Sequence, residues 1–424
     1  MIAHIPIGLY ALPVPLTVVL LAALVVIAAS FVLVWRQPAN SPALRLSHGR
    51  TVPPVVVGAM VVVAWTVVLF IIIVATFGRQ GLTVLNGAAV LFWVFLVVAL
   101  PIAHAFLGGM YEVANPFAYA ARLLSGGNRL IDADLILQRI GYWPAVCLTF
   151  LLVWGEAISA VVQNPAVLGY AAIAYAGIQV SCGVIFGDAW YRGGDVFQAL
   201  TALASQVAVL ALRRVDGRVE LVVGRGAAGP LRPASGLQAL ITLWLAGVLA
   251  DGIRATPLWR NIILPPLTPA FQSMGTFAGV DVGSTLEITL EIVITWVMLV
   301  AFFWAFLALV SLVAARPGEP RVSRKRRQRY GALLAPTLIP ISLGYLFAHN
   351  LTELLVVGPL LVTARDASPA QINGLVQQQV NAISPNWVWW VQACAIVLGH
   401  VVAVIMAHDA LSQRPRDTSS LETS

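Results

Sequence analysis

Two ionisable residues four apart, His349 and Glu353, stand in the middle of one apolar run, Ala335 to Val362 (APTLIPISLGYLFAHNLTELLVVGPLLV), with Asn350 between them. On a helix that spacing puts both on one face, and a run of this length crosses a bilayer. A charged group at such depth is expensive, so it marks a functional site or a polar contact inside a bundle. Imidazole nitrogen and carboxylate oxygen together suit zinc, iron or manganese. A metal with an open position activates water for hydrolysis. The same residue types build proton and cation pathways, and pairing among themselves would hold helices together.

Other residues extend the set. His4, Glu156, Asp251, and the pair Glu287 and Glu291, again four apart, all fall toward one side of the chain's apolar segments. In a hydrolytic site His349 and Glu353 would be the central ligands. His4, Glu287, Glu291 and His400 would be further metal candidates, and Glu353 and Asp251 the catalytic carboxylates. His400 lies near mid-span, whereas His104, Asp188 and His408 fall at span ends. His400 and His408 are eight residues apart, about 12 Å along a helix, so they cannot hold one haem between them. A haem would need His349 or His104 as the partner of one of them. No HExxH, GxSxG or phosphate-cradling loop is present.

The elements that must position these groups are membrane spans. Hydrophobic residues make up 59% of the 424, and charged residues 10%, against about 25% in soluble domains. Spans are predicted near Pro15–Trp35, Val55–Phe77, Leu85–Leu107, Tyr142–Val162, Val167–Gly187, Leu237–Ile253, Leu286–Ala314, Ala335–Val362 and Asn386–His408. The net charge of +7 is almost wholly arginine. With the N-terminus outside, all 25 basic residues except Arg79, Arg254, Arg260 and Arg365 fall in inside loops, as the positive-inside rule requires. Making Val196–Leu212 a tenth span would break that pattern, so this segment is expected in the interface or re-entrant.

The fold class is therefore an all-α integral membrane bundle of about nine transmembrane helices, N-terminus outside and C-terminus cytoplasmic. It forms one polytopic domain over residues 1–412, followed by a polar tail, 413–424, expected to be disordered. Within the domain, Asp216-Gly217 between β-branched residues predicts a cytoplasmic hairpin in 213–233. Residues 254–285 form a proline-rich outer loop. The basic run Arg321–Arg329 reads as topogenic charge and anionic-lipid contact. Cys147, Cys182 and Cys394 lack a CxxC spacing and read as small apolar groups. No cleavable signal peptide is expected. The partner implied is the lipid bilayer, with a partner subunit or a homo-oligomer left open. Nucleic acid is excluded, since no basic domain with interleaved aromatics exists.

Several segments carry a resemblance: ALPVP at Ala11–Pro15, NPF at Asn115–Phe117, GYWPA at Gly141–Ala145, FGDAWYRGGDVF at Phe186–Phe197, DGIRATPLW at Asp251–Trp259, GYLFAHN at Gly344–Asn350 and GHVVAVIMAH at Gly399–His408. Together they resemble a bacterial family of polytopic membrane proteins labelled fenitrothion hydrolase. The resemblance implies a cytoplasmic-membrane location, hydrolysis of an organophosphorus ester, and importance for His4, Asp251, His349, His400 and His408. The chain departs from the pattern at Ile5–Ala11 and at Asn350. The readings left open are a metal-dependent hydrolase, a transporter or channel subunit for protons, metal ions or small anions, a haem protein, and a scaffold subunit.

Overall fold

A computed structural model describes residues 49–80, 85–158, 164–224, 226–254, 256–277, 280–313, 324–363 and 367–412. His4, the first predicted span, residues 321–323 of the basic run, the tail, and the side chains of Asp251 and of residues 324–326 lie outside what is described. Six helical segments are long and apolar enough to cross a membrane: Pro54–Phe77, Gly87–Phe106, Pro165–Ala189, Val282–Leu312, Arg327–Thr363 and Pro385–Leu411. Each coincides with a predicted span. Their starts follow from local chemistry. Proline occupies the first turn at Pro54, Pro165 and Pro385, where no amide hydrogen is needed. Asn86 and Asn164 cap their helices by accepting from backbone amides.

One other predicted span differs from expectation in length: Trp143–Ala157 is 15 residues long and meets Asp134–Ile140 at 46°. The helix Leu237–Arg254 matches its predicted span to within a residue. Its residues Leu240, Ile241, Leu243 and Ala246 are all fully buried, as befits a helix at the centre of a bundle rather than one facing lipid.

The chain alternates between two ends. At one end Arg79 Nη1 donates to Ala367 O (2.7 Å), Ala166 N to Gln80 Oε1 (3.0 Å), and Asn86 Nδ2 to Arg79 O (2.8 Å). At the other, Tyr142 N donates to Ser235 O (2.7 Å), Gly109 N to Ser205 Oγ (3.2 Å), and Val52 N to Val219 O (2.8 Å). This second end carries a four-stranded sheet in the order β1-β4-β3-β2, with β1 Arg50–Thr51, β2 Leu107–Gly108, β3 Leu210–Val215 and β4 Arg218–Val223. β3 and β4 form the predicted hairpin, Val215 opposite Arg218. Asp216 (φ 46°) and Gly217 (φ 79°) take the left-handed conformations of its two-residue turn.

Val196–Leu212, expected in the interface or re-entrant, is too short a helix to be a span and divides between that helix and a strand. Its helix, Val196–Ala204, buries seven of nine residues, then passes through a 3-10 turn into β3. Both its ends touch the same stretch. Asp195 accepts from Tyr111 and Asn115, and Ser205 accepts from Gly109. The helix thus lies across the sheet end of the bundle and closes it from within. The polar residues Gln198, Thr201 and Ser205 are buried as well.

Candidate functional site

The most deeply buried carboxylate among the described residues is Asp195, at 0% exposure. It caps the cross-lying helix: its Oδ1 accepts from Phe197 N (3.0 Å) and Gln198 N (3.2 Å). Tyr175 Oη donates to the same oxygen at 2.7 Å. Oδ2 accepts from Tyr111 Oη (3.1 Å) and Asn115 Nδ2 (2.9 Å). Asn115 Nδ2 also reaches Gln198 Oε1 (2.8 Å), while its Oδ1 caps the helix Pro116–Ser125 by accepting from Ala118 N. Five donors from four elements converge on one carboxylate, and every one is a neutral group.

Aromatic rings wall the site. Tyr175 packs edge-on against Phe117 and Phe197, and Tyr111 lies 6.3 Å from Phe197. Tyr111 is also the link to His104, which is fully buried. Tyr111 N donates to His104 Nε2 (2.9 Å), so that nitrogen is bare and the proton sits on Nδ1, 2.8 Å from Leu100 O. His104 is therefore neutral, and contributes no countercharge. The turn before Asp195 is fastened to the helix Pro165–Phe186 by Gln179, which donates to Gly194 O and accepts from Trp190 Nε1.

Burial pushes the Asp195 carboxyl above the usual carboxylate range, and the hydrogen bonds from Tyr175, Gln198 N, Asn115 and Tyr111 only partly oppose it. The raised value means the folded state binds this proton more readily than the unfolded chain. The resulting stabilisation is full below the unfolded pKa and is lost as pH rises through the folded one. Acid-to-neutral infrared difference spectra should show a protonated-carboxyl stretch at a pH where free aspartate is already ionised. Its absence, or its survival in Asp195→Asn, would contradict that assignment.

The described residues expected from sequence fall elsewhere, on the helices Val282–Val313, Ile339–Val356 and Pro385–Ser412. Glu291, 2% exposed, meets Arg254 Nε at 3.3 Å near the end opposite the sheet. Nearby, Trp154 Nε1 donates to Thr289 Oγ1 (2.9 Å). Glu287 is half-buried on the same helix. Arg254→Ala should destabilise the fold by about 2–4 kcal/mol, since it removes a cation from a carboxylate that stays buried. Thermal unfolding of Arg254→Ala beside Glu291→Gln measures it, with the glutamine variant the milder of the two.

His349 is exposed and Glu353 half-buried, while Asn350 is buried and donates to Leu346 O (2.9 Å). His400 shares an edge-on contact with Tyr345, and its Nδ1 lies 2.8 Å from Ile396 O. Helix register separates the two histidines. Gln392 donates to Ala348 O, whereas Gly399 lies against Pro340 and Ile341. His400 is thus level with residue 340, and His349 is about 13 Å further along the axis, too far for one haem or metal. Among the described residues no three of His, Cys, Asp and Glu stand close enough to hold a metal ion.

Sequence reasoning missed Asp195, Tyr111, Asn115 and Tyr175. The signal was present: Asn-Pro before one helix and Gly-Gly-Asp before another are both N-cap patterns, and both stand in segments quoted above for the resemblance. No family model, curated protein or solved structure matches the chain.

Proposed function

We propose that this chain is a multi-pass protein of the bacterial cytoplasmic membrane that conducts or carries protons or small cations, with Asp195 as its protonatable group at the cytoplasmic mouth. The observation that carries the reading is a fully buried carboxylate met only by neutral donors. Such a charge is costly in a low-dielectric interior, and ionisable groups kept inside membrane bundles are typical of proton relays. Three features support it. The carboxylate heads a short helix lying across the bundle end. The neighbouring Gly87–Phe106 segment contains a π-helical stretch, Leu91–Ala99, a distortion frequent at functional sites. The sheet end gathers Arg50, Arg122, Arg129, Arg139, Arg192, Arg213, Arg214, Arg218 and Arg232, which supports a cytoplasmic placement under the positive-inside rule.

In this reading Tyr111 and Tyr175 exchange hydrogen-bond roles as the carboxyl gains or loses its proton, since a phenol both donates and accepts. Proton movement into liposomes containing the purified protein, compared with Asp195→Asn, tests the function. The metal-dependent hydrolase implied by the family resemblance ranks second. It would join His349 and Glu353 with His4, Asp251 or Glu287 and Glu291, and Glu291 already has Arg254 as its partner.

A further inference from the structure

A pocket of about 440 Å³ opens at the sheet end, between the last turn of Pro165–Phe186 and the turn after Pro116–Ser125. Its polar lining includes Arg122, Ser125, Asn128, Arg129 and Asp188. The signs of charge are mixed. Arg122 holds Asp188 through Nε and Nη2, the shortest contact being 2.7 Å, and the Asp188 side chain is still 61% exposed. Arg129 contacts Asp132 and Asp134 at 3.0 and 2.7 Å. A guanidinium has five N–H donors, so both arginines keep donors for a further oxygen ligand, and Asp188 keeps acceptor capacity for a cation.

Apolar residues flank the lining in sequence, before Ser125 and after Arg129, and the pocket adjoins a helix long and apolar enough to cross a membrane. Leu130 N and Ile131 N donate to Val184 O and Ile185 O, which lays this strand of chain beside the last turn of a membrane-spanning helix. Leu123, Leu124, Leu130 and Ile131 are all exposed there. Exposed apolar residues beside a membrane-length helix, next to a polar pocket holding both charge signs, suit one amphiphile: a phospholipid whose headgroup carries a phosphate and a primary ammonium.

We infer that this pocket binds the headgroup of a zwitterionic aminophospholipid, phosphate toward Arg122 and Arg129 and ammonium toward Asp188, with the acyl chains along Leu130 and Ile131. A purely anionic headgroup would meet Asp188 unfavourably. A trimethylated ammonium would lose the hydrogen bonds that Asp188 offers.

Native mass spectrometry of the delipidated full chain tests it, with dioleoyl phosphatidylethanolamine, phosphatidylcholine, phosphatidylglycerol and inorganic phosphate as separate probes. Phosphatidylethanolamine should be retained at least fivefold more than either other lipid. Retention of all three lipids should fall in Arg129→Gln, whose side chain is at the surface and whose loss leaves the fold intact. Asp188→Asn should raise phosphatidylglycerol relative to phosphatidylethanolamine. Equal retention of the three lipids, or a preference for phosphatidylglycerol in the wild type, overturns the inference. Inorganic phosphate displacing bound lipid at equal concentration would also overturn it, by showing a free-phosphate site.

Discussion

Replacing Asp195 with alanine is expected to cost on the order of 3–5 kcal/mol of stability, among the largest effects of any single change in this chain. The carboxylate satisfies Tyr111, Asn115, Tyr175 and the amides of Phe197 and Gln198 at once. Alanine would leave these donors buried without an acceptor, and each such group costs about 1–3 kcal/mol unless water or a shift of structure relieves it. The cap of the cross-lying helix is lost in the same step. Tyr175→Phe removes one donor to the carboxylate and the acceptor of the Val196 amide, so its cost should stay near 1–2 kcal/mol. Thermal unfolding in detergent compares the two. Equal stability of Asp195→Ala and wild type would show that the network does not hold the end of the bundle together.

Gly399→Val should be nearly as damaging, for a steric reason. The helices Ile339–Val356 and Pro385–Ser412 cross with backbone against backbone. A Cβ at position 399 would lie 2.5 Å from Pro340 O and 3.4 Å from Ile341 Cα, and one at 344 would lie 2.7 Å from Ala395 O. Backbone atoms in a packed helix cannot swing aside as a flexible side chain can, so the helices must separate. Overpacking of this kind costs about 1–3 kcal/mol, and valine should reach the upper value. Gly374→Ala is the control. It is helical too, but nothing lies within 4 Å of its added Cβ, so it should be neutral or stabilise by up to about 1 kcal/mol. The ratio of folded to aggregated protein after a heat step reads all three. Indistinguishable behaviour of the 399 and 374 variants would refute the close crossing.

Hydrophobic run length made the long helices legible from sequence, because lipid leaves the backbone few options. The hairpin was legible from Asp216-Gly217, whose left-handed geometry few other pairs adopt. The cross-lying helix at Val196–Ala204 was not. Its apolar content looked interfacial, and only tertiary packing shows that Gln198, Thr201 and Ser205 are enclosed. The candidate site escaped for a related reason. Depth was judged from the spans alone, and Asp195 stands in a connector, where that criterion does not look. The fold encloses Asp195, while His349 is exposed on its helix. Position along a span does not report which way a side chain faces, and a connector folded into the bundle is as dry as a helix core.

Proton flux in proteoliposomes tests the central claim most directly, using an imposed pH gradient and an interior pH dye. Wild type should move protons, and Asp195→Asn should not, although it retains the size and most of the contacts of the native side chain. Tyr175→Phe should still conduct, with its pH profile displaced upward, because losing a donor to the ionised form raises the carboxyl pKa further. Wild-type protein that moves no protons under any imposed gradient, or an Asp195→Asn variant as active as wild type, would contradict the account.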